Sequence, residues 1–230
     1  MLRLLAKAHL DVSRARSRAC SRLHALVNEL IPGGIRKEVV VNQAECILAG
    51  VDAMTATQRQ RLELAHELLD DIRCLDVKMK RSKTRISEAV AASATSLTEL
   101  FGVGPIIAGM IIGYTGDVTR FPTAGHFAAY NGTAPVEFSS SGRTVHRLSR
   151  RGNRTLNHAI HMIAVTQIRN LGSEGRVYYE TKLAAGRTRR KAMRSLKRHI
   201  SGCSATCAQT LGASRPGRTI RERHPSPDMS

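Results

Sequence analysis

The sequence has no tryptophan, and its four tyrosines and four phenylalanines are few for 230 residues. Proteins that hold single strands without sequence preference stack bases on aromatic side chains, and this composition argues against such a platform. Long apolar runs are missing too. Uninterrupted apolar stretches last a few residues, against the roughly 20 that a membrane helix needs. The amino end, MLRLLAKAHLDVSRARSR, carries charge inside what would be the apolar region of a secretory signal, so no membrane partner and no export are expected. The five cysteines, Cys20, Cys46, Cys74, Cys203 and Cys207, are odd in number and scattered. That pattern fits a reducing cytoplasm rather than a disulfide framework. Acids are outnumbered: 18 Asp and Glu stand against 36 Lys and Arg, a formal charge of +18. Such an excess repels itself and is tolerated best beside a polyanion, which makes nucleic acid the expected partner.

The apolar periodicity is helical. Val12, Ala15, Ala19, Leu23, Leu26 and Leu30 recur three or four apart and predict one helix over residues 1–30. Arg14, Arg18 and Arg22 align on another face, either as a solvated edge or as a stripe against phosphates. Ile31-Pro32-Gly33-Gly34 ends that helix. Residues 35–50 lean towards helix despite Val39-Val40-Val41. From Thr55 to Val90, Leu62, Ala65, Leu69, Ile72, Leu75, Met79, Ile86 and Val90 repeat as in a coiled-coil seam or a long helical hairpin. The mixed charge along that seam suggests a protein partner or a spacer. The basic excess lies further on. Phe138 to Ser173 and Thr181 to Arg221 contain no acid at all. The expected fold is therefore mainly α. A helical hairpin or coiled-coil region over 1–92 is followed by a compact helical domain over 96–200 and a disordered tail over 201–230.

Two segments carry candidate chemistry. In LTELFGVGPIIAGMIIGYTGD a short helix should end near Leu100. Gly102-Val103-Gly104 then forms a tight turn, and Pro105 opens a new helix at the position where its missing N–H costs nothing. Glycines at the turn let a backbone approach closely, and exposed amides at a helix start receive anions. The pattern resembles the helix-hairpin-helix module, which grips DNA phosphates; a plain turn between two core helices is the alternative. After it, Phe121-Pro122 opens a short helix carrying Phe127, Ala128 and Tyr130, which Asn131-Gly132 closes. Ser139, Ser140 and Ser141 meet Gly142 at what should be a turn or the tip of a small β-ribbon. Arg143, His146, Arg147, Arg150, Arg151 and Arg154 follow at once. Phosphoryl transfer needs positioning and positive charge on the equatorial oxygens, and a hydroxyl beside an arginine cluster meets that need.

The run GVGPIIAGMIIGYTGDVTRFPTAGHFAAYNGTAP, then SSSG, HRLSRRGNRTLNHAIHMIA and RVYYETKLAAGRTRRKAMRSLKR, closely resembles the carboxyl-terminal domain of the IS one-ten family of insertion-sequence transposases. The likeness covers about residues 1–200 and is densest from Leu97 to Lys197. The resemblance implies an RNA-guided recombinase that couples a metal-dependent DEDD nuclease-like domain to a catalytic serine, which links covalently to DNA during strand exchange. Carried over by position, that serine falls on Ser140. The family usually has glycine directly after it, whereas here Ser141 intervenes before Gly142, so Ser141 remains an alternative nucleophile. His146, Arg147 and Arg150 fall on the family's basic stretch, and Gly152-Asn153 on its Gly-Asn, flanked by Arg151 and Arg154. The nucleic-acid contacts implied are thus Gly102, Gly104, Arg143, His146, Arg147, Arg150, Arg151, Asn153 and Arg154.

Nothing in residues 1–50 looks like the family's DEDD domain, so the sequence reads as a truncated copy. No cofactor is expected in this chain, Mg²⁺ belonging to the DEDD domain. Glu67, Asp70, Asp71 and Asp76 read as solvated charges on a helix. His199, Cys203 and Cys207 form a ladder on one helix, a poor tetrahedron for zinc, so no metal site is assigned. His158 and His161 sit on an apolar helix as core or interface histidines. The expected partners are DNA, a guide RNA, and a second copy or full-length transposase paired through the coiled coil, in bacterial cytoplasm at the nucleoid. The alternative to an active recombinase is a silent nucleic-acid-binding remnant that pairs with or inhibits full-length transposase.

Overall fold

A computed structural model of the chain describes residues 1–31, 41–140, 143–148 and 152–213, the side chains of 136–148 and 206–213 excepted. It is mainly α-helical. The first helix, α1, runs Leu2–Leu30, as its periodicity predicts. A short α2, Val41–Ala49, precedes α3, Ala56–Ala91, which returns along α1. Thr55 starts α3 with a reciprocal cap: its hydroxyl accepts from Gln58 N while the Gln58 side chain accepts from Thr55 N.

The long pair is built into two cores. Towards the far end, Leu23, Val27 and Leu30 of α1 close on Ala44 and Leu48 of α2 and on Ala65, Leu69 and Ile72 of α3. Towards the near end, Ala6 of α1 and Ile86 and Val90 of α3 enter the core of the later helices. Ion pairs lace the hairpin across its helices: Arg16 with Asp76, Arg61 with Glu29, Arg73 with Glu45. Two of the acids set aside above as surface charges, Asp70 and Asp76, are thus held by arginines of the bundle.

The later helices pack around α4, Pro105–Thr115, which is apolar on every side and therefore central. Its Gly109 and Gly113 set how near its neighbours lie. A Cβ on Gly109 would meet Ile86 Cγ2 at 2.9 Å, and one on Gly113 would meet the backbone N of Arg3 at 2.7 Å. After a 3-10 turn over Val118–Arg120 comes α5, Ala124–Tyr130. It opens at Thr123, whose hydroxyl accepts from His126 N, rather than at Phe121-Pro122. An antiparallel ribbon follows, β1 Pro135–Ser140 with β2 Arg143–Leu148. The chain finishes with α6, Arg154–Arg169, α7, Glu174–Ala184, and α8, Arg189–Ala213.

Two expectations need correction. The tail was expected to lose structure from residue 201, yet α8 continues to Ala213, with Ser201 and Ser204 fully buried and Ala205 nearly so. The packing stripe Ala192, Leu196, Ile200 goes on, but in small residues that let α5 approach, and these leave no hydropathy signal. Residues 214–230 lie outside the described residues. His158 is exposed and His161 half-buried, so of the core and interface roles expected for them the core role does not hold.

Among the described residues the buried histidine is His9, 6% exposed, its Nδ1 3.2 Å from Ser82 Oγ on α3. Burial, helped by the charge of Lys83, lowers its pKa from the ordinary 6.5, and burial likewise lowers that of His161. Below pH 6.5 the unfolded chain therefore binds protons that the folded chain refuses, so stability falls as pH falls. We expect the melting temperature to drop between pH 7.5 and 5.5, with a smaller drop in His9→Gln, measured by circular dichroism.

Candidate nucleic-acid interface

The glycine turn is placed by α6. Gln167, buried at 6% exposure, donates from Nε2 to the Phe101 carbonyl at 2.9 Å. Gly102 follows at φ +88°, where a Cβ would lie 3.4 Å from both the Ile163 carbonyl oxygen and Thr166 Cβ. Glycine is thus favoured there by its left-handed conformation, a Cβ making only ordinary contacts. Gly104 is the N-cap of α4, exposed, with nothing within 4 Å of where a Cβ would stand and no side-chain cap on the helix. The first element of this hairpin is a four-residue 3-10 turn, Ser96–Glu99. The start of α4 thus has no side-chain cap and an exposed N-cap glycine, an arrangement that suits an anion.

The ribbon is anchored by a polar knot at its root. Asn131 is fully buried, its Oδ1 accepting from Thr133 N and Oγ1 and its Nδ2 donating to Ser201 Oγ on α8 at 2.8 Å. From α6, Asn157 Nδ2 donates to the Asn131 carbonyl, while its Oδ1 accepts from Lys197 Nζ at 2.6 Å. Burial, aided by Arg194, lowers the Lys197 pKa. The two roots of the ribbon meet backbone to backbone. A Cβ on Gly152 would fall 2.5 Å from Cα and N of Gly132.

Asn153 is the N-cap of α6. Its Oδ1 accepts from Thr155 N and Leu156 N, its N donates to the Tyr130 carbonyl at 2.7 Å, and its Nδ2 lies 3.3 Å from Tyr130 Oη. Those commitments make Asn153 an anchor of the ribbon root. Arg154, next to it, is exposed on the first turn of α6.

Tyr130 collects further groups. Its hydroxyl donates to the Tyr114 carbonyl at 3.2 Å. Arg120 lies over the rings of Tyr130 and Phe121 at 4.5 and 4.6 Å, and Arg3 over Tyr114 at 5.4 Å. Burial alone would push the Tyr130 phenol up. Hydrogen bonds from Asn153 and Arg120 and the charges of Arg120 and Arg3 outweigh it, leaving the pKa lowered.

At the ribbon's far end, the register sets Ser140 opposite Arg143, with Ser139 opposite Thr144, Glu137 opposite His146 and Val136 opposite Arg147. For these positions the backbone alone is described; Ser141, Arg150 and Arg151 lie outside the described residues. The structure thus brings Ser140 and Arg143 together in register, and gathers Asn153 and Arg154 at the root. Sequence reasoning missed Asn131, Asn157 and the Arg3–Arg120–Tyr130 group. Their partners are far away in sequence, and polar residues in pairs across 26 to 70 positions give no periodic signal. Among the described residues no helix is long and apolar enough to cross a membrane, and no three His, Cys, Asp or Glu converge as metal ligands. His199 is instead stacked on Tyr178 at 4.8 Å.

Set against known proteins, this glycine turn and arginine-flanked ribbon resemble those of insertion-sequence transposases. Residues 94–180, from the glycine turn through the ribbon to α7, match the model described as the transposase IS116/IS110/IS902 family. The "Insertion element IS110 uncharacterized 43.6 kDa protein" of Streptomyces coelicolor is 38% identical over 104 residues, 44% of this chain and 25% of the relative. The "Probable family 20 transposase" of Pseudomonas aeruginosa is 28% identical over 145 residues, 61% of this chain and 42% of the relative. The matched regions thus span a quarter and about two fifths of these relatives' lengths.

Proposed function

We propose that the chain carries the serine half of a DNA strand-exchange reaction, with Ser140 at the end of the ribbon as nucleophile. The register that pairs Ser140 with Arg143 carries this reading, because it holds a hydroxyl-bearing residue beside a permanent cation at the end of a stiff hairpin. Attack by the serine oxygen on a backbone phosphorus forms a serine–phosphate ester and releases the sugar oxygen, which takes up the proton. Reversal with a new sugar hydroxyl rejoins DNA and frees the serine, so phosphodiester number is conserved. Arginine charge stabilises the equatorial oxygens in both steps. The glycine turn at α4 and Arg154, at opposite ends of α6, each hold a backbone phosphate, and a guide RNA selects the partners. In this reading the Mg²⁺ of the family belongs to the DEDD domain.

The test is a covalent-adduct assay on four-way junctions built from DNA flanking the gene, supplemented with a protein supplying the DEDD domain. Adducts are expected with the natural chain, none with Ser140→Ala, and a reduced yield with Ser141→Ala. The reverse order would move the nucleophile to Ser141. Binding without any adduct would instead identify a silent nucleic-acid-binding module.

A further inference from the structure

Arg3 and Arg120 are the unexplained charges of this fold. Both are exposed, and among the described residues neither guanidinium has an acidic partner. The acid of the Arg120 turn, Asp117, accepts from Thr119 N and Oγ1. What gathers the two arginines is aromatic: Arg3 lies on Tyr114, Arg120 on Tyr130, and the Tyr130 hydroxyl donates to the Tyr114 carbonyl, closing the link between them. A guanidinium on a ring uses its face; Arg120 spends one N–H on the Tyr130 hydroxyl, and the other N–H donors of both arginines can meet phosphate oxygens. Cations brought together without counter-charge repel, in a chain that already carries +18. An anion between them relieves this.

Placement says which anion. Tyr130 ends α5 at the ribbon root, where its carbonyl accepts from Asn153 N. From Pro135 at the root to Ser140 at the far end is five residue steps, about 17 Å at 3.4 Å each.

We propose that Arg3 and Arg120, fixed by Tyr114 and Tyr130, form a second phosphate cradle that anchors the duplex near the root of the ribbon. The proposal rests on the DNA-facing reading above and deepens it. Arg3 comes from α1, outside the segment that matches the family, so the start of the long hairpin belongs to the DNA surface.

The test is fluorescence-anisotropy titration of the full chain with a 30-base-pair duplex over a range of salt concentrations. Arg3→Gln/Arg120→Gln is compared with Arg18→Gln/Arg22→Gln, an equal loss of exposed charge beginning about 22 Å further along α1. The cradle variant should flatten the salt slope by about 1.8, or about 0.9 per lost contact, and bind roughly 60-fold more weakly at 0.1 M salt. The control should keep the natural slope, and circular dichroism should show equal melting for all three. Equal flattening by both pairs, or no flattening by the cradle pair, overturns the cradle. So does an effect seen on an RNA duplex and not on DNA. A natural chain whose DNA binding ignores salt defeats the DNA-facing reading itself, an outcome distinct from these.

Discussion

Gly152→Val should unseat the ribbon. A Cβ at this position falls 2.5 Å from Cα and N of Gly132 and 3.0 Å from the carbonyl carbon of Asn131. All three are backbone atoms that cannot swing aside, and Gly132 already sits at φ +73°. Either the turn at Asn131 or the start of α6 has to shift, and each carries part of the knot. Overpacking of this kind costs about 1–3 kcal/mol, and disturbing the Asn153 cap adds about 1. We expect about 2–4 kcal/mol of lost stability by denaturant titration, together with loss of adduct formation. Gly172→Val is the control, since its nearest neighbour there is the Asn170 side-chain oxygen at 3.7 Å. Equal midpoints for the two variants would refute the backbone contact.

The second large effect is expected at Gly113, where α4 meets the start of α1. A Cβ there would lie 2.7 Å from Arg3 N, 2.8 Å from Arg3 Cα and 3.0 Å from the Leu2 carbonyl carbon. Gly113→Val has to push the first turn of α1 away, taking Leu2, Leu5 and the fully buried Ala6 out of the near core. We expect a loss of about 3 kcal/mol, larger than for Gly109→Ala, whose obstacle at 2.9 Å is a movable isoleucine methyl. Hydrogen exchange should show residues 2–10 losing protection first. Uniform loss of protection along the chain would mean that this contact is not the local weak point.

These two glycines also mark where the sequence stops being legible. The helices α1 and α3 follow from three- and four-residue spacing, and the turn at Gly102–Pro105 with the start of α4 follows from local stereochemistry, because the information for each lies within a few residues. The contact between Gly152 and Gly132 does not, nor does that between Gly113 and Arg3. A missing side chain has no hydropathy, and its meaning depends on which backbone the fold brings near. The continuation of α8 past Ser201 was hidden for the same reason, its buried face being serine and alanine. At the candidate site, residue types and order suggested the serine and its arginines. The role of Asn153 as a cap on α6, bonded to Tyr130, needed three-dimensional structure.

The long hairpin has a mechanical consequence. Ala6 sits in one core and Val27 in the other, on one unbroken helix. At 1.5 Å per residue the two cores lie about 32 Å apart on a common axle, with α3 running back beside it and ion pairs between. A push applied at the far tip is therefore delivered to Arg3 and the α4 backbone as rotation or translation, since no loop lies between to absorb it. Anything clamped to the tip would be held at a set distance and angle from the ribbon, as a gauge rod holds two parts of a machine in register.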